Sequence, residues 1–178
     1  MDELVKLAQQ NGFCQWAPLN MDAVVPMEDV REMCAANRCG CWGTNWACPP
    51  GCGSVNYIST QLARYHSGLL VQTTDSLTDD FDIEGMNSLS NRHCQQFKTF
   101  ARQVRLLHPD CLPLSAGPCL VCRQCTYPHR PCRYPNKRIS SMEAYGLLVS
   151  DICLRSGLGY NYGPRTLTYT SCILLIEE

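Results

Sequence analysis

The chain has 178 residues, a formal net charge of −1 and 14 cysteines. The near-neutral charge excludes a uniformly basic nucleic-acid coat and an acidic buffer protein. With 45% apolar and only 17% charged residues, the chain has enough apolar surface for an ordinary core. No apolar run reaches the roughly 18 residues that span a membrane, and the N-terminal residues do not read as a secretion signal. We therefore expect a cytoplasmic protein without a membrane span, in a compartment where disulfides are rare.

Hydrophobic periodicity and capping residues predict the first half of the chain as alternating helices and strands. The predicted elements are a helix over 2–10, a strand over 13–19, a helix over 27–36, a helix over 55–65 that Ser54 caps, and a strand over 69–73. A polar, acidic loop is predicted to follow over 74–85.

The second half is predicted to begin with the most regular helix of the chain, over 87–107. A short strand over 111–116 leads into a cysteine-rich segment. Ser140 and Glu143 have the spacing of a capping box, which predicts a helix that continues to Gly157. Glu143 is therefore expected to be a structural residue first and a catalytic carboxylate only second. A strand rich in β-branched and aromatic residues follows over 166–176. This order predicts one α+β or α/β domain over 1–178, a mixed β-sheet flanked by helices, with two cysteine-rich metal-binding loops.

Nine cysteines fall into two dense groups. The second group has three cysteines in a C-x2-C-x2-C arrangement, which lets one tight loop reach three corners of a [4Fe–4S] cluster. A further cysteine, separated from the last of the three by six residues, is the predicted fourth ligand. The residues of this group are Cys119, Cys122, Cys125 and Cys132.

The first group is less regular and offers five thiols for at most four ligand positions. The predicted ligands are Cys34, Cys39 and Cys48, the last followed by two prolines that give a rigid exit from the loop. The fourth position is left to Cys41, to Cys52, to a non-protein ligand or to nothing. Trp42 and Trp46 are predicted either to shield this site from water or to serve as ordinary core residues. The remaining cysteines are scattered, and those within regular elements are expected to act as small apolar residues.

Two other uses of the thiols compete with an iron–sulfur site. A disulfide framework needs an oxidising compartment, which the sequence does not predict. Structural zinc needs paired knuckles around a tetrahedron, and no second CxxC pair follows Cys119 and Cys122 at the usual distance. Among the four histidines, only His129 lies inside a cysteine group, and Cys132 is preferred to it as a ligand. His93 lies on the apolar face of a predicted helix and is expected to be a core histidine with its hydrogen bonds satisfied.

The order of these motifs resembles a known family. The segments that carry the resemblance are CGCWGTNWACPP from Cys39, GLLVQT from Gly68, the run from Cys119 to Cys132 with Thr-Tyr-Pro after Cys125, and SSMEAYG from Ser140. Together they are similar to the predicted metal-binding proteins called domain of unknown function 2284. The resemblance implies a protein of anaerobic bacteria or archaea that binds metal, as an iron–sulfur cluster. It also implies that Cys34, Cys39 and Cys48 carry one motif, and that all four cysteines of the second group carry the other.

Charge is unevenly distributed along the chain. Residues 92–138 contain nine basic residues and one acidic residue, so this segment carries +8, whereas residues 1–91 carry −7. The basic segment surrounds the second cysteine group and can offset the negative charge of a cluster or bind an acidic redox partner. The patch is short for a nucleic-acid surface, which argues against that partner.

No P-loop, GxSxG or HExxH motif occurs in the chain, so no catalytic residue and no reaction are predicted. Two functions of different class remain. One is an electron carrier with one or two [4Fe–4S] clusters that serves a partner enzyme. The other is an enzyme, or an accessory to one, with an open cluster site at Cys34, Cys39 and Cys48. A structural zinc protein is the further alternative.

Overall fold

The structure, a computed structural model, describes residues 1–176. Within them five α-helices alternate with the strands of a sheet. The helices are α1 (Asp2–Gln10), α2 (Glu28–Ala35), α3 (Val55–Leu62), α4 (Ile83–Leu107) and α5 (Val149–Arg155). The strands are β1 (Gln15–Pro18), β2 (Ser67–Ser76), β3 (Leu112–Ser115), β4 (Ser140–Ser141) and β5 (Thr166–Leu175). Short 3₁₀ helices occupy Met21–Ala23, Pro135–Lys137 and Glu143–Tyr145.

The five strands form one mixed sheet in the order β1-β2-β5-β3-β4. Its centre is the long antiparallel pair of β2 and β5, which are in register from Ser67 and Leu175 to Ser76 and Thr166. Strand β4 pairs with β3 in parallel at one edge, so the chain between them must cross from one end of the sheet to the other. This confirms the predicted mixed sheet flanked by helices.

Each face of the sheet is covered by its own hydrophobic core, because side chains alternate between the two faces along a strand. Leu69 and Val71 point to the face covered by α1 and α4, whose buried residues include Phe97 and Phe100. Leu70 points to the opposite core, which contains side chains of α3, α5 and the 142–147 segment. The two cysteine-rich segments lie outside these layers, between α2 and α3 and between β3 and β4.

Most predicted elements are confirmed, with shifts at their ends. Helix α4 begins at Ile83, four residues earlier than predicted, because the side chain of Asp82 accepts a hydrogen bond from the backbone N–H of Gly85 (2.8 Å) and caps the helix. The predicted loop over 74–85 is correspondingly shorter, since β2 also continues to Ser76.

The predicted capping box at Ser140 and Glu143 is wrong. Ser140 and Ser141 form strand β4, and Glu143 begins a single 3₁₀ turn that stops at Gly146. Gly146 has a left-handed φ of 76°, and its Cα lies so close to the start of α2 that an added Cβ would be 3.0 Å from the Met27 carbonyl oxygen. The close approach of α2 interrupts the predicted helix, and α5 starts only at Val149.

His93 of α4 is a fully buried histidine with a partner on each ring nitrogen, as the sequence predicts for a core position. Its Nδ1 lies 2.8 Å from Thr73 Oγ1, and its Nε2 lies 2.7 Å from Ser171 Oγ. Burial lowers the pKa of His93 to about 4. Cys153 and Cys172 are buried in the core on the other side of the sheet and act as small apolar side chains, also as predicted.

None of the helices within residues 1–176 combines the length and the apolar character that crossing a bilayer would require.

Candidate metal centre

A cavity of about 260 Å³ is lined by four cysteines of the first group. Helix α2 positions Cys34, and the loop that follows it supplies the others, Cys39, Cys41 and Cys48. The remaining wall includes Trp42, Pro49, the 117–118 turn and Glu143. The three predicted ligands therefore line one cavity, and Cys41 lines it with them.

Local hydrogen bonds shape this loop. The backbone N–H of Gly43 donates to the carbonyl of Pro49 (2.8 Å), which closes the segment into a turn around the cavity. Asn37 has a left-handed φ of 52°, and its side-chain oxygen accepts a hydrogen bond from the N–H of Trp42 (2.9 Å). Asparagine tolerates this conformation better than most residues because its short side chain can bond locally. The loop is thus held by its own polar groups rather than by a helix or strand.

Cys52 belongs to the same cysteine group but does not line the cavity. Its buried thiol lies 3.3 Å from the Ala144 carbonyl and 3.7 Å from Arg31 Nη1. Of the two cysteines that the sequence leaves open for the fourth position, Cys41 lines the cavity and Cys52 does not.

Arg31 is a buried cation behind this cavity, with 7% of its surface exposed. It joins three parts of the site: it lies on α2, and its guanidinium donates to the carbonyls of Ala144 (2.8 Å) and Gly53 (2.9 Å). Within residues 1–176 no carboxylate pairs with it, and its Nε has no hydrogen-bond partner. A buried charge without a counter-charge is costly, so negative charge in the neighbouring thiol cavity would stabilise it.

Burial raises the pKa of four thiols around this cavity: Cys34, Cys41, Cys52 and Cys48, whose pKa rises to about 11. For Cys34 and Cys52, the positive charge of Arg31 acts in the opposite direction and favours the thiolate. Without a metal these groups are protonated thiols at neutral pH. Metal binding must then release protons, as thiolate coordination generally does.

Glu143 lines the same cavity, and it lies in a 3₁₀ turn rather than in the helix that the sequence predicts. Its side chain is reached by solvent, yet protein atoms surround the carboxyl group, as expected in a concave wall. This desolvation raises its pKa. The S-x-x-E spacing favours the structural interpretation of Glu143 because it mimics a helix cap.

A second, narrower cavity of about 20 Å³ is lined by all four cysteines of the second group: Cys119, Cys122, Cys125 and Cys132. These side chains are half-buried. The segment that carries them has no helix or strand between Ser115 and Pro135, so few backbone hydrogen bonds oppose its adjustment around a ligand. His129 lies on the outer side, in an open depression that also contacts Cys132.

Trp46 does not shield the first cavity, which corrects one of the two predictions for it. It lies against the second cysteine segment, where its indole Nε1 donates to the Arg130 carbonyl (3.0 Å) and its ring meets Tyr127 edge to face at 4.9 Å. Trp42 does line the first cavity.

Each of the two cysteine cavities is lined by residues of both cysteine segments. Asn45, Trp46 and Ala47 of the first loop line the second cavity. Gly117 and Pro118, at the start of the second segment, line the first. Neither site is therefore built by one segment alone.

All 14 cysteines are free thiols. In the part of the chain that the structure describes, no three His, Cys, Asp or Glu side chains lie together closely enough to hold a single metal ion. The assignment of individual ligands to the two cavities stays a prediction.

A family model described as "Predicted metal-binding protein (DUF2284)" matches residues 17–175 of the 178. The chain belongs to this family. The membership agrees with the resemblance of the cysteine motifs. Both cysteine segments fall inside the matched region of this predicted metal-binding family. No curated protein and no solved structure matches the chain.

Proposed function

We propose that this DUF2284 protein is an iron–sulfur protein of the cytoplasm that carries one or two [4Fe–4S] clusters and transfers electrons to a partner enzyme in anaerobic metabolism. The observation that carries the proposal is that two separate cavities are each lined by four cysteines. Thiolates are the ligands of iron–sulfur clusters, and four of them complete one cluster.

The donor sets fit such clusters by number and chemistry. Cys34, Cys39, Cys41 and Cys48 would hold one, and the four cysteines of the second group would hold the other. A bound cluster supplies reversible one-electron transfer. The chain holds the thiols in place, limits water around them with Trp42 and Trp46, and provides positive charge.

The positive charge supports a negatively charged occupant of both cavities. A cluster with four thiolates is an anion, and buried Arg31 stands behind the first cavity without a carboxylate partner among the described residues. Around the second cavity, Arg123, Arg130 and Arg133 are exposed, and Arg138 lines the cavity. Nearby cations raise the reduction potential of a cluster, because they favour the more negative reduced state.

The same exposed arginines suit an acidic redox partner. Complementary charge guides the encounter of two proteins and fixes their orientation. Docking at Arg123, Arg130 and Arg133 would bring the partner next to the half-buried thiols of the second group.

The test is anaerobic purification followed by iron, sulfide and zinc analysis with EPR of the reduced protein. We expect a brown protein with about four or about eight iron and sulfide per chain. A colourless protein with stoichiometric zinc would contradict the proposal and favour the structural zinc alternative.

Cys41→Ala and Cys52→Ala are a matched pair that tests the ligand set of the first site. We expect Cys41→Ala to lower the iron content and to alter the EPR spectrum of one cluster, because Cys41 faces the cavity. Cys52→Ala should keep its iron, since the Cys52 thiol bonds to Ala144 and Arg31 instead. Loss of iron in Cys52→Ala with none in Cys41→Ala would contradict the assignment.

The second candidate is an enzyme, or an accessory to one, with an open cluster at Cys34, Cys39 and Cys48. The observation that favours it is the carboxyl group of Glu143 in the wall of an accessible cavity. Full iron content in both alanine variants would leave three cysteine ligands and would support this candidate instead.

A further inference from the structure

A third cavity, of about 510 Å³, lies between α4 and the segment that follows the second cysteine group. Four cationic side chains line it, Lys98, Arg102, Arg105 and Lys137. The metal sites described above use none of these residues.

The fold assembles this positive cavity from two sides. Residues 98, 102 and 105 are four and three positions apart, so they share one face of α4. Lys137 comes from the 3₁₀ helix Pro135–Lys137 on the opposite wall. Arg105 is anchored there, since its Nη2 donates to the Arg138 carbonyl (3.3 Å).

Among residues 1–176 no acidic residue lines this cavity, and the ion pairs found there join other side chains. Gathering four like charges around one cavity works against folding through mutual repulsion. An anion placed among them would relieve the repulsion and accept several charge-assisted hydrogen bonds. Arginine in particular binds phosphate with two parallel bonds.

The cavity also has an apolar and aromatic part, formed by Val121, Tyr134 and Ile139. The Lys137 ammonium lies 5.5 Å from the centre of the Tyr134 ring, a cation–π contact between two residues of the cavity wall. Such a mixture suits an organic molecule with a charged end better than an inorganic ion alone.

Val121 and Tyr134 also line the second cysteine cavity, so the two cavities are neighbours across these side chains. A molecule in the basic cavity would lie beside whatever the four thiols bind.

We propose that this cavity binds a phosphorylated organic molecule, with its phosphate groups on Lys98, Arg102, Arg105 and Lys137 and its organic part against Tyr134, Val121 and Ile139. This goes beyond an electron carrier, because it gives the chain a small-molecule site next to its second cysteine site. No cysteine in the described part of the chain lines this cavity, so binding of the ligand does not depend on what the thiols hold.

The test is isothermal titration of the purified protein with three probes: adenosine diphosphate, pyrophosphate and adenosine. We expect the diphosphate to bind most tightly, pyrophosphate more weakly and adenosine without measurable affinity, because the charged groups dominate and the apolar wall adds to them. The double variant Lys98→Ala/Arg102→Ala should lose at least about tenfold in affinity for the diphosphate. Lys6→Ala is the control, since Lys6 is an exposed lysine of α1 away from the cavity.

Equal binding by the double variant, or binding of adenosine as tight as that of its diphosphate, would overturn the proposal. Failure of both phosphorylated probes at millimolar concentration would overturn it too, and tight binding of polyglutamate in their place would assign the cavity to an acidic protein. Iron and sulfide analysis of the double variant separates the two proposals: an unchanged metal content with lost phosphate binding confines the defect to this cavity.

Discussion

Replacing Cys122 with alanine is expected to remove one whole cluster, about four of about eight iron atoms per chain in a protein with two clusters. Cys122 is the middle thiol of the closely spaced triple, and it lines the second cavity together with the other three cysteines of its group. With one thiolate lost, the three that remain must hold a cluster in a segment that has no regular secondary structure to fix them. Anaerobic iron and sulfide analysis with EPR of the reduced protein measures the change.

Cys14→Ala is the matched control for this experiment. Cys14 is an exposed cysteine next to β1, at the opposite edge of the sheet from β4. Its thiol hydrogen-bonds with the backbone of Thr74 and lines neither cysteine cavity, so its removal should leave iron unchanged. Full iron and an unaltered spectrum in Cys122→Ala would show that the second cysteine group does not bind a cluster.

Acidification is expected to lower the free energy of unfolding by about 2.5 kcal/mol between pH 7 and pH 4.5 through His93 alone. Burial lowers the pKa of His93 to about 4 in the folded protein, while an unfolded histidine titrates near 6.5. Below pH 6.5 the unfolded chain binds a proton that the folded chain rejects, so stability falls until the pH reaches the folded pKa. Urea denaturation at the two pH values measures the loss.

Thiolate ligands and carboxylates also take up protons in this range, so the histidine contribution needs a reference. His93→Gln removes the titrating ring while keeping a polar side chain near Thr73 and Ser171. We expect the variant to be less stable at pH 7 but to lose less stability on acidification than the wild type. An equal loss in both proteins would mean that His93 does not carry the effect.

The sequence predicts most of the fold because its strongest signals are local. The apolar repeat of α4, the Ser54 cap of α3 and the β-branched run of β5 all report on backbone conformation near their own residues. The exception is the 140–146 segment, where Gly146 meets the start of α2. That contact joins residues more than 100 positions apart, and no local pattern contains it.

The sequence identifies the cysteines of the candidate sites, but it does not predict which other residues surround them. Ligand spacing within each group is local, so Cys119, Cys122 and Cys125 are recognised at once. The position of Arg31 behind the first cavity and of Trp46 against the second segment depends on how distant segments pack. The same holds for Cys41 and Cys52, since only the packing of the loop shows which of the two lines the first cavity.

The parallel pairing of β3 and β4 determines how the second cysteine segment is connected to the first cavity. A crossover between parallel strands is usually a helix, which keeps its shape by itself. Here the crossover is the second cysteine segment, and it ends on a two-residue strand followed almost directly by Glu143 and Ala144. Gain or loss of a group bound by these thiols would shorten or lengthen the path of this crossover. Ser141, Glu143 and Ala144 line the first cavity, so a shift at the end of this crossover would move part of that wall.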